Sequence, residues 1–123
     1  MYRNNFALSN IILNPKHDNV SLFSFERSTC FINTETGEHL KLENLPFFSG
    51  DVRFSSTNQM KMYSSSRKDD LINLISLLMY FMQMDLPWCD YLFCMPCPNQ
   101  EQTYNLILEK KESIKLSDLA KEL

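Results

Sequence analysis

The sequence predicts a mainly α-helical chain with a short β element, organised round a buried central helix at about residues 67–84. Leu71, Leu74, Ile75, Leu78, Met79 and Met82 recur at helical spacing, while Ile72, Leu77, Tyr80 and Phe81 fill most of the other faces. A helix that is apolar nearly all round is expected to be surrounded by protein. A second helical pattern spans residues 99–112, and the only clear period-two alternation is VSLFSF at residues 20–25.

Taken in order, Ile11-Ile12-Leu13 is too short an apolar run for a secretory signal. Residues 20–25 follow Asp18-Asn19 and read as a strand. Residues 26–48 have mixed polarity and a Thr36-Gly37 turn signal, which predicts a long loop with at most a short strand. Residues 51–66 are rich in Ser and Asn and are expected to be irregular. Ser66 and Asp69 have capping-box spacing: the hydroxyl would accept from a first-turn amide while the carboxylate reaches back. The central helix should end before Leu86-Pro87-Trp88, because a residue preceding proline disfavours helical backbone. Residues 91–98 read as a loop with two prolines. Asn99 then caps the next helix with Gln102 completing a box, Leu106 and Ile107 face inward, and Ser117 caps a short last helix.

The totals exclude several function classes. A chain of 123 residues holds at most one domain. With 44% hydrophobic and 22% charged residues it has a globular balance, not a disordered one. The net charge of −3, with no run of Lys or Arg, argues against a nucleic-acid or anionic-membrane surface. The apolar stretch 71–84 is interrupted by Asn73, Ser76 and Gln83 and falls short of the ~20 residues that span a bilayer. With neither signal peptide nor transmembrane segment, a cytoplasmic or nuclear location is expected. Its four cysteines, Cys30, Cys89, Cys94 and Cys97, are then reduced thiols. Cys94-Met-Pro-Cys97 has CxxC spacing, but His17 and His39 lie far away, so no metal site is expected. Gly37 and Gly50 are the only glycines, which leaves no Gly-rich phosphate loop.

Several segments together resemble the lower lobe of a protein kinase of the casein kinase I group. Ser49-Gly50-Asp51-Val52-Arg53-Phe54-Ser55-Ser56 is similar to the family's TGTARYAS, and Ser66-Arg67-Lys68-Asp69-Asp70-Leu71 to its SRRDDL. Leu78-Met79-Tyr80-Phe81 resembles LMYF, and Leu86-Pro87-Trp88 is LPW, with family separations kept between these blocks. Thr36-Gly37-Glu38-His39-Leu40 is similar to TGxHI, and Gln102-Thr103-Tyr104, Ile107 and Glu109-Lys110-Lys111 to QKY, I and EKK. The resemblance runs from residue 5 to about 119. It implies that residues 1–123 form a partial protein-kinase-like domain, a C-lobe fragment from the catalytic-loop region to the helix after LPW, without the N-lobe.

The resemblance also implies what is missing. Kinase catalysis needs an aspartate near the attacking hydroxyl and acidic and amide ligands for magnesium. Residues 3–10 align with HRDxKPxN, so Asn5 stands for the catalytic aspartate, Ala7 for the lysine, and Asn10 keeps the metal-ligand amide. A rival alignment, on the family's DNF at Asn5-Phe6, loses the aspartate altogether. The DFG position falls on Ser24-Phe25-Glu26, where a neutral hydroxyl replaces a hard-cation ligand. Glu26 is displaced by two residues and is expected to point away as a solvated loop residue. Asp70 matches a structural aspartate at the start of the family's central helix, Ile75 replaces a glycine usual there, and Trp88 belongs to the core with Met79, Phe81 and Met82. Arg53 matches an arginine that binds anionic substrates, but Cys89-Asp90 and Thr103 replace its companions.

The reading implied is a catalytically inactive, pseudokinase-like module that binds a protein partner, a kinase or a kinase substrate, with no cofactor, no nucleic acid and no membrane. The alternative is part of an active serine/threonine kinase whose N-lobe lies elsewhere, and only then are ATP and Mg expected. A third reading is a decayed fragment. Lacking the rest of the lobe, its central helix would leave apolar surface uncovered, which favours aggregation or partner binding.

Overall fold

The computed structural model describes residues 2–3, 8–16, 18–83, 85–93 and 99–119. It is a mixed structure of helices with small antiparallel β pairings. The strands come first: β1 Tyr2–Arg3, β2 Ile11–Leu13, β3 Val20–Leu22 and β4 Ser28–Thr29, with a single 3-10 turn at Leu8–Asn10. Helices α1 Thr57–Met60, α2 Arg67–Gln83, α3 Asp90–Phe93, α4 Gln100–Ser113 and α5 Leu116–Leu119 follow.

Ile11-Ile12-Leu13 is a strand, not merely a short apolar run. It pairs antiparallel with β3 in the register Ile11↔Leu22, Ile12↔Ser21, Leu13↔Val20. The connection is closed by Asn14, whose amide donates to the Asn19 carbonyl at 3.1 Å and whose side-chain oxygen accepts from the Asp18 amide at 3.0 Å. The predicted strand 20–25 stops at Leu22. Ser24 has a φ of 65°, in the left-handed region, which breaks the extended chain. In the long loop, the expected turn forms at Asn33-Thr34-Glu35-Thr36-Gly37. Gly37 has a φ of 71° and donates to the Asn33 carbonyl, and Ile32 bridges His39.

Residues 51–66 are largely irregular, as expected, apart from one short helix. They contain α1, whose N-terminus is a capping box: the Ser56 hydroxyl accepts from the Gln59 amide at 3.1 Å, and the Gln59 side chain accepts from the Ser56 amide at 3.0 Å. The signal, Ser56-x-x-Gln59, is in the sequence. At α2 the box takes another form. The Asp69 carboxylate does reach back to the Ser66 amide, at 2.7 Å, but the Ser66 hydroxyl donates to that same carboxylate at 2.8 Å. Asp69 is completely buried and also accepts from the Ser56 hydroxyl at 2.7 Å and from the Asn58 amide group at 3.4 Å. It ties the two helix starts together.

This anchoring overturns the expectation that the central helix is buried on all sides. Asp69, Asn73, Ser76, Leu77 and Met79 are buried, whereas Leu71, Leu74, Ile75, Leu78, Phe81 and Met82 are exposed. At 100° per residue, putting Asp69 inside turns Asn73 and Ser76 inward with it and the Leu71–Leu78 side outward. The helix is therefore one-sided, and the uncovered apolar surface expected of a partial lobe is what the structure has.

The core is small. Phe54, Met60, Leu77, Met79, Leu86, Trp88, Cys89 and Ile107 are its buried apolar residues. α2 ends at Gln83, ahead of Leu86-Pro87-Trp88, as expected. α3 is a helical turn where loop was predicted. In α4 the Asn99 side chain caps by accepting from the Gln102 amide at 2.7 Å. Ile107 is buried, but Leu106, one position round the helix, is exposed, contrary to expectation. α5 begins at Leu116, so Ser117 lies inside it and does not cap it. Among the described residues no helix is long and apolar enough to cross a membrane.

Asp69→Ala should cost about 3 kcal/mol of unfolding free energy, because it strands buried donors. Urea denaturation followed by circular dichroism measures this; a loss below roughly 1 kcal/mol would show that the donors find other acceptors.

Candidate functional site

The antiparallel hairpin brings two of the sequence-predicted positions together. β2 and β3 pair through Ile11 and Leu22, so the residues just outside the ladder, Asn10 and Phe23, face one another. The Phe23 amide donates to the Asn10 carbonyl at 3.2 Å, and Asn10 is buried. Ser24 follows at once, half-buried and turned by its positive φ. Its hydroxyl donates to the Glu26 carboxylate. Glu26 therefore does not point away: the left-handed turn at Ser24 folds its carboxylate back onto the hydroxyl. The open end of the hairpin thus carries the Asn10 backbone carbonyl bonded to Phe23 and, next along the chain, the Ser24 hydroxyl engaged by Glu26. Among the described residues no group of three His, Cys, Asp or Glu side chains is disposed to hold a metal ion. Asn5 and Ala7 lie outside the described residues, as do Cys94 and Cys97 of the CxxC.

A second cluster forms where residues 51–56 meet the end of the central helix. Arg53 is held by its neighbour: Nε donates to both Asp51 carboxylate oxygens at 3.0 and 3.1 Å, and a terminal nitrogen completes the ion pair. Asp51 raises the Arg53 pKa, so the guanidinium stays charged, and it lies 5.0 Å from the Phe54 ring centroid. Its charge is matched within the same turn, which leaves an incoming anion a weaker attraction than an unmatched arginine would exert. The Arg53 carbonyl accepts from the Trp88 indole at 2.7 Å. Trp88 is buried, and Lys111 of α4 stands 4.8 Å from its ring.

Lys111 is the residue that sequence reasoning passed over. It lay in the Glu109-Lys110-Lys111 motif, but only the tertiary structure turns it inward. Its Nζ donates to the Val52 and Ser55 carbonyls at 2.6 and 2.7 Å, clamping the 52–55 turn to α4. Burial pushes its pKa from the ordinary 10.5 down to about 7, against the opposing pull of Cys89 and Asp51. A cavity of about 180 Å³ beside it is lined by Ser55, Thr57, Ile72, Ser76 and Trp88 among others. That is below the ~300 Å³ at which small-molecule pockets usually begin.

Asp70 sits half-buried in the first turn of α2, the helix that packs against β1. Its neighbour Asp69, which the capping-box spacing already assigned to Ser66, gains its further donors Ser56 and Asn58 only through the three-dimensional approach of α1.

Comparison with known proteins adds a relationship. No family model matches the chain. It is 31% identical over 109 residues to casein kinase I homolog 1 of Saccharomyces cerevisiae, covering 89% of this chain and 20% of that protein. It is 30% identical over 100 residues to casein kinase I homolog 2 of Schizosaccharomyces pombe, covering 81% and 22%. A probable casein kinase I homolog of Encephalitozoon cuniculi is 27% identical over 110 residues, covering 89% and 35%. The chain thus spans about a fifth to a third of the length of these relatives.

The Lys111 site predicts a pH dependence of stability. Between pH 7 and its ordinary 10.5 the lysine is neutral when folded and protonated when unfolded, so unfolding takes up a proton. Stability therefore rises with pH across that window, and Lys111 contributes no slope below it. Burial also raises the Cys89 pKa above its ordinary 9.0, which acts in the opposite sense only at higher pH. Urea melts at pH 7 and pH 9 should show a larger gain for the parent chain than for Lys111→Met; equal gains would mean the ammonium stays charged in the fold.

Proposed function

Because the chain is a casein kinase I-like member of the protein kinase family, we propose that it is a partial kinase C-lobe, from the catalytic-loop region onward, that binds a protein partner and does not transfer phosphate. One observation carries this reading. At the hairpin end, where the family's metal ligands would converge, Asn10 is joined by a serine whose hydroxyl is engaged by Glu26. A neutral oxygen is a poor ligand for Mg²⁺, which favours carboxylates and phosphate oxygens. The sequence replacements at Asn5 and Ala7 support the same conclusion, since an amide cannot draw off the hydroxyl proton and an alanine cannot touch a phosphate. The partner is a protein, a kinase or a kinase substrate, and the setting is cytoplasmic or nuclear.

A second reading has its own support. Glu26 places a carboxylate within one hydrogen bond of Ser24, the residue after the Phe23 that bonds the Asn10 carbonyl. In that case the chain is part of an ATP- and Mg-dependent serine/threonine kinase whose N-lobe is supplied by another segment or chain, and Glu26 stands in for the acidic ligand.

Thermal melts of the 123-residue chain with and without ATP and Mg²⁺ separate the two. The non-catalytic reading expects a shift under ~1 °C; nucleotide at a hundred times its dissociation constant would add about 2.7 kcal/mol, a shift on the order of 10 °C. Phosphotransfer to casein that is lost in Glu26→Gln and Asn10→Ala would establish the second reading instead.

A further inference from the structure

Cations gather where the central helix begins, and no carboxylate stands among them. Two adjoining hollows, of about 230 and 450 Å³, meet there. The wall of the first includes His39, Lys41 and the serines at 64–66; that of the second includes His39, Arg67 and Lys68. Neither wall contains an acidic residue.

Long-range pairing assembles the patch. The Ser64 amide donates to the Glu43 carbonyl at 2.7 Å, and the Ser64 hydroxyl accepts from the Glu43 amide at 2.9 Å. These bonds hold the segment 39–42 beside the start of α2. Phe31 joins the two halves. The Arg67 guanidinium lies over its ring, 4.3 Å from the centroid, and the His39 ring centroid is 5.8 Å away.

Exposure of these cations needs no cover to explain it, because water solvates them. Their position does need explaining. Arg67 and Lys68 open α2, at the positive end of its dipole, where acids stabilise a helix and cations oppose it. The ion pairs among the described residues are Arg53–Asp51 and Lys61–Glu112, and Arg67, Lys68 and Lys41 are in neither. Asp69, in the same turn as Arg67 and Lys68, is buried among its own donors. A chain of net charge −3 thus keeps a local positive field against the preference of its helix.

We propose that this patch docks an acidic segment of a protein partner, whose Asp and Glu carboxylates lie along the two hollows against Lys41, His39, Arg67 and Lys68. The proposal deepens the reading of the chain as an interaction module, on which it rests, by giving the chemistry of the partner.

The spread of the charges selects the occupant. They come from two segments, and the serine hydroxyls between them serve the fold: Ser64 accepts from Glu43, Ser65 from the Gln59 side chain, and Ser66 donates to Asp69. The hollows therefore offer separated charges, not a cage for one small anion. Carboxylates spaced along an extended peptide match separated charges. With its face on Phe31, the Arg67 guanidinium can still present its N–H edge to a carboxylate, two bonds at a time. Four such groups on a chain of net charge −3 fall short of the many phosphate contacts that hold a nucleic acid.

Fluorescence anisotropy of the full 123-residue chain with a dye-labelled oligoglutamate tests this; about six residues, spanning ~20 Å, suffice. Exposed ion pairs contribute little each, so a dissociation constant on the order of 10⁻⁴ M at low salt is expected. Binding should vanish at ~1 M salt, where the screening length falls to ~3 Å. Arg67→Glu with Lys68→Glu should weaken it about tenfold or more, and Lys41→Glu, in the other segment, about threefold. Lys68→Glu alone should melt no lower than the parent chain, because an acid suits the start of a helix, so its lost binding is not unfolding. Lys16→Glu with Lys115→Glu changes the net charge as much as the first pair, at exposed sites elsewhere, and should alter binding less than about twofold. No binding at ~1 mM peptide overturns the proposal. So do equal losses in the two double variants, displacement by inorganic phosphate below the peptide's own constant, or tighter binding of a DNA oligonucleotide. A chain whose melt ignores both peptide and nucleotide loses this site and keeps the module reading. One that binds the peptide and is shifted by nucleotide keeps the site and loses that reading.

Discussion

The buried carboxylate of Asp69 is the constraint from which the rest of the described structure follows. A carboxyl group held away from water must have its polar atoms hydrogen-bonded, so it must collect partners. It does so from the Ser56 hydroxyl, the Ser66 amide and hydroxyl and the Asn58 amide group. The Ser56 hydroxyl, having donated to Asp69, still accepts from Gln59 and so starts α1. Gln59 in turn donates to Ser65 at 2.8 Å, closing the network round the start of α2. At the other end of α1 the Met60 carbonyl accepts from the Tyr104 hydroxyl, which ties α4 to the same unit. Short serine-rich segments that could not hold a fold by apolar burial are thus held by directional bonds in a dry interior, where each is stronger than in water.

The same carboxylate decides which way the longest helix faces. A helix has one rotational freedom about its axis, and fixing one buried residue removes it. With Asp69 inside, the polar Asn73 and Ser76 are carried into the interior beside Leu77 and Met79, and the largest apolar stripe is carried out. The burial of polar residues and exposure of leucines is therefore not a defect of packing but one choice seen from two sides. Ile75 adds apolar surface to the outward side.

The hairpin end and the 51–56 turn share a common pattern: polar and charged side chains are held by partners within the chain. Arg53 is held by Asp51, the Ser24 hydroxyl is engaged by Glu26, and Lys111 is turned inward onto the Val52 and Ser55 carbonyls. Each of these groups contributes to holding a loop in place.

The sequence by itself determined the elements whose causes are local. The helical spacing of residues 71–82, the stop before Leu86-Pro87-Trp88, the Asn99 cap and the Gly37 turn all depend on neighbours within one or two turns, and a linear reading finds them. It also held the Ser56-x-x-Gln59 box and the Ile11-Ile12-Leu13 strand, which compositional bias and the shortness of the run concealed. Tertiary structure alone decided that Asp69 also gathers the Ser56 and Asn58 donors, that Glu26 returns to Ser24, that Lys111 and not Lys110 clamps the 52–55 turn, and that the leucines of α2 face out. The physical reason is the same in each case. Periodicity gives the pattern of a helix but not its rotation, and side-chain chemistry gives the capacity to bond but not the partner; both are settled only when distant segments, such as Ser56 and Asp69, come within 3 Å of each other.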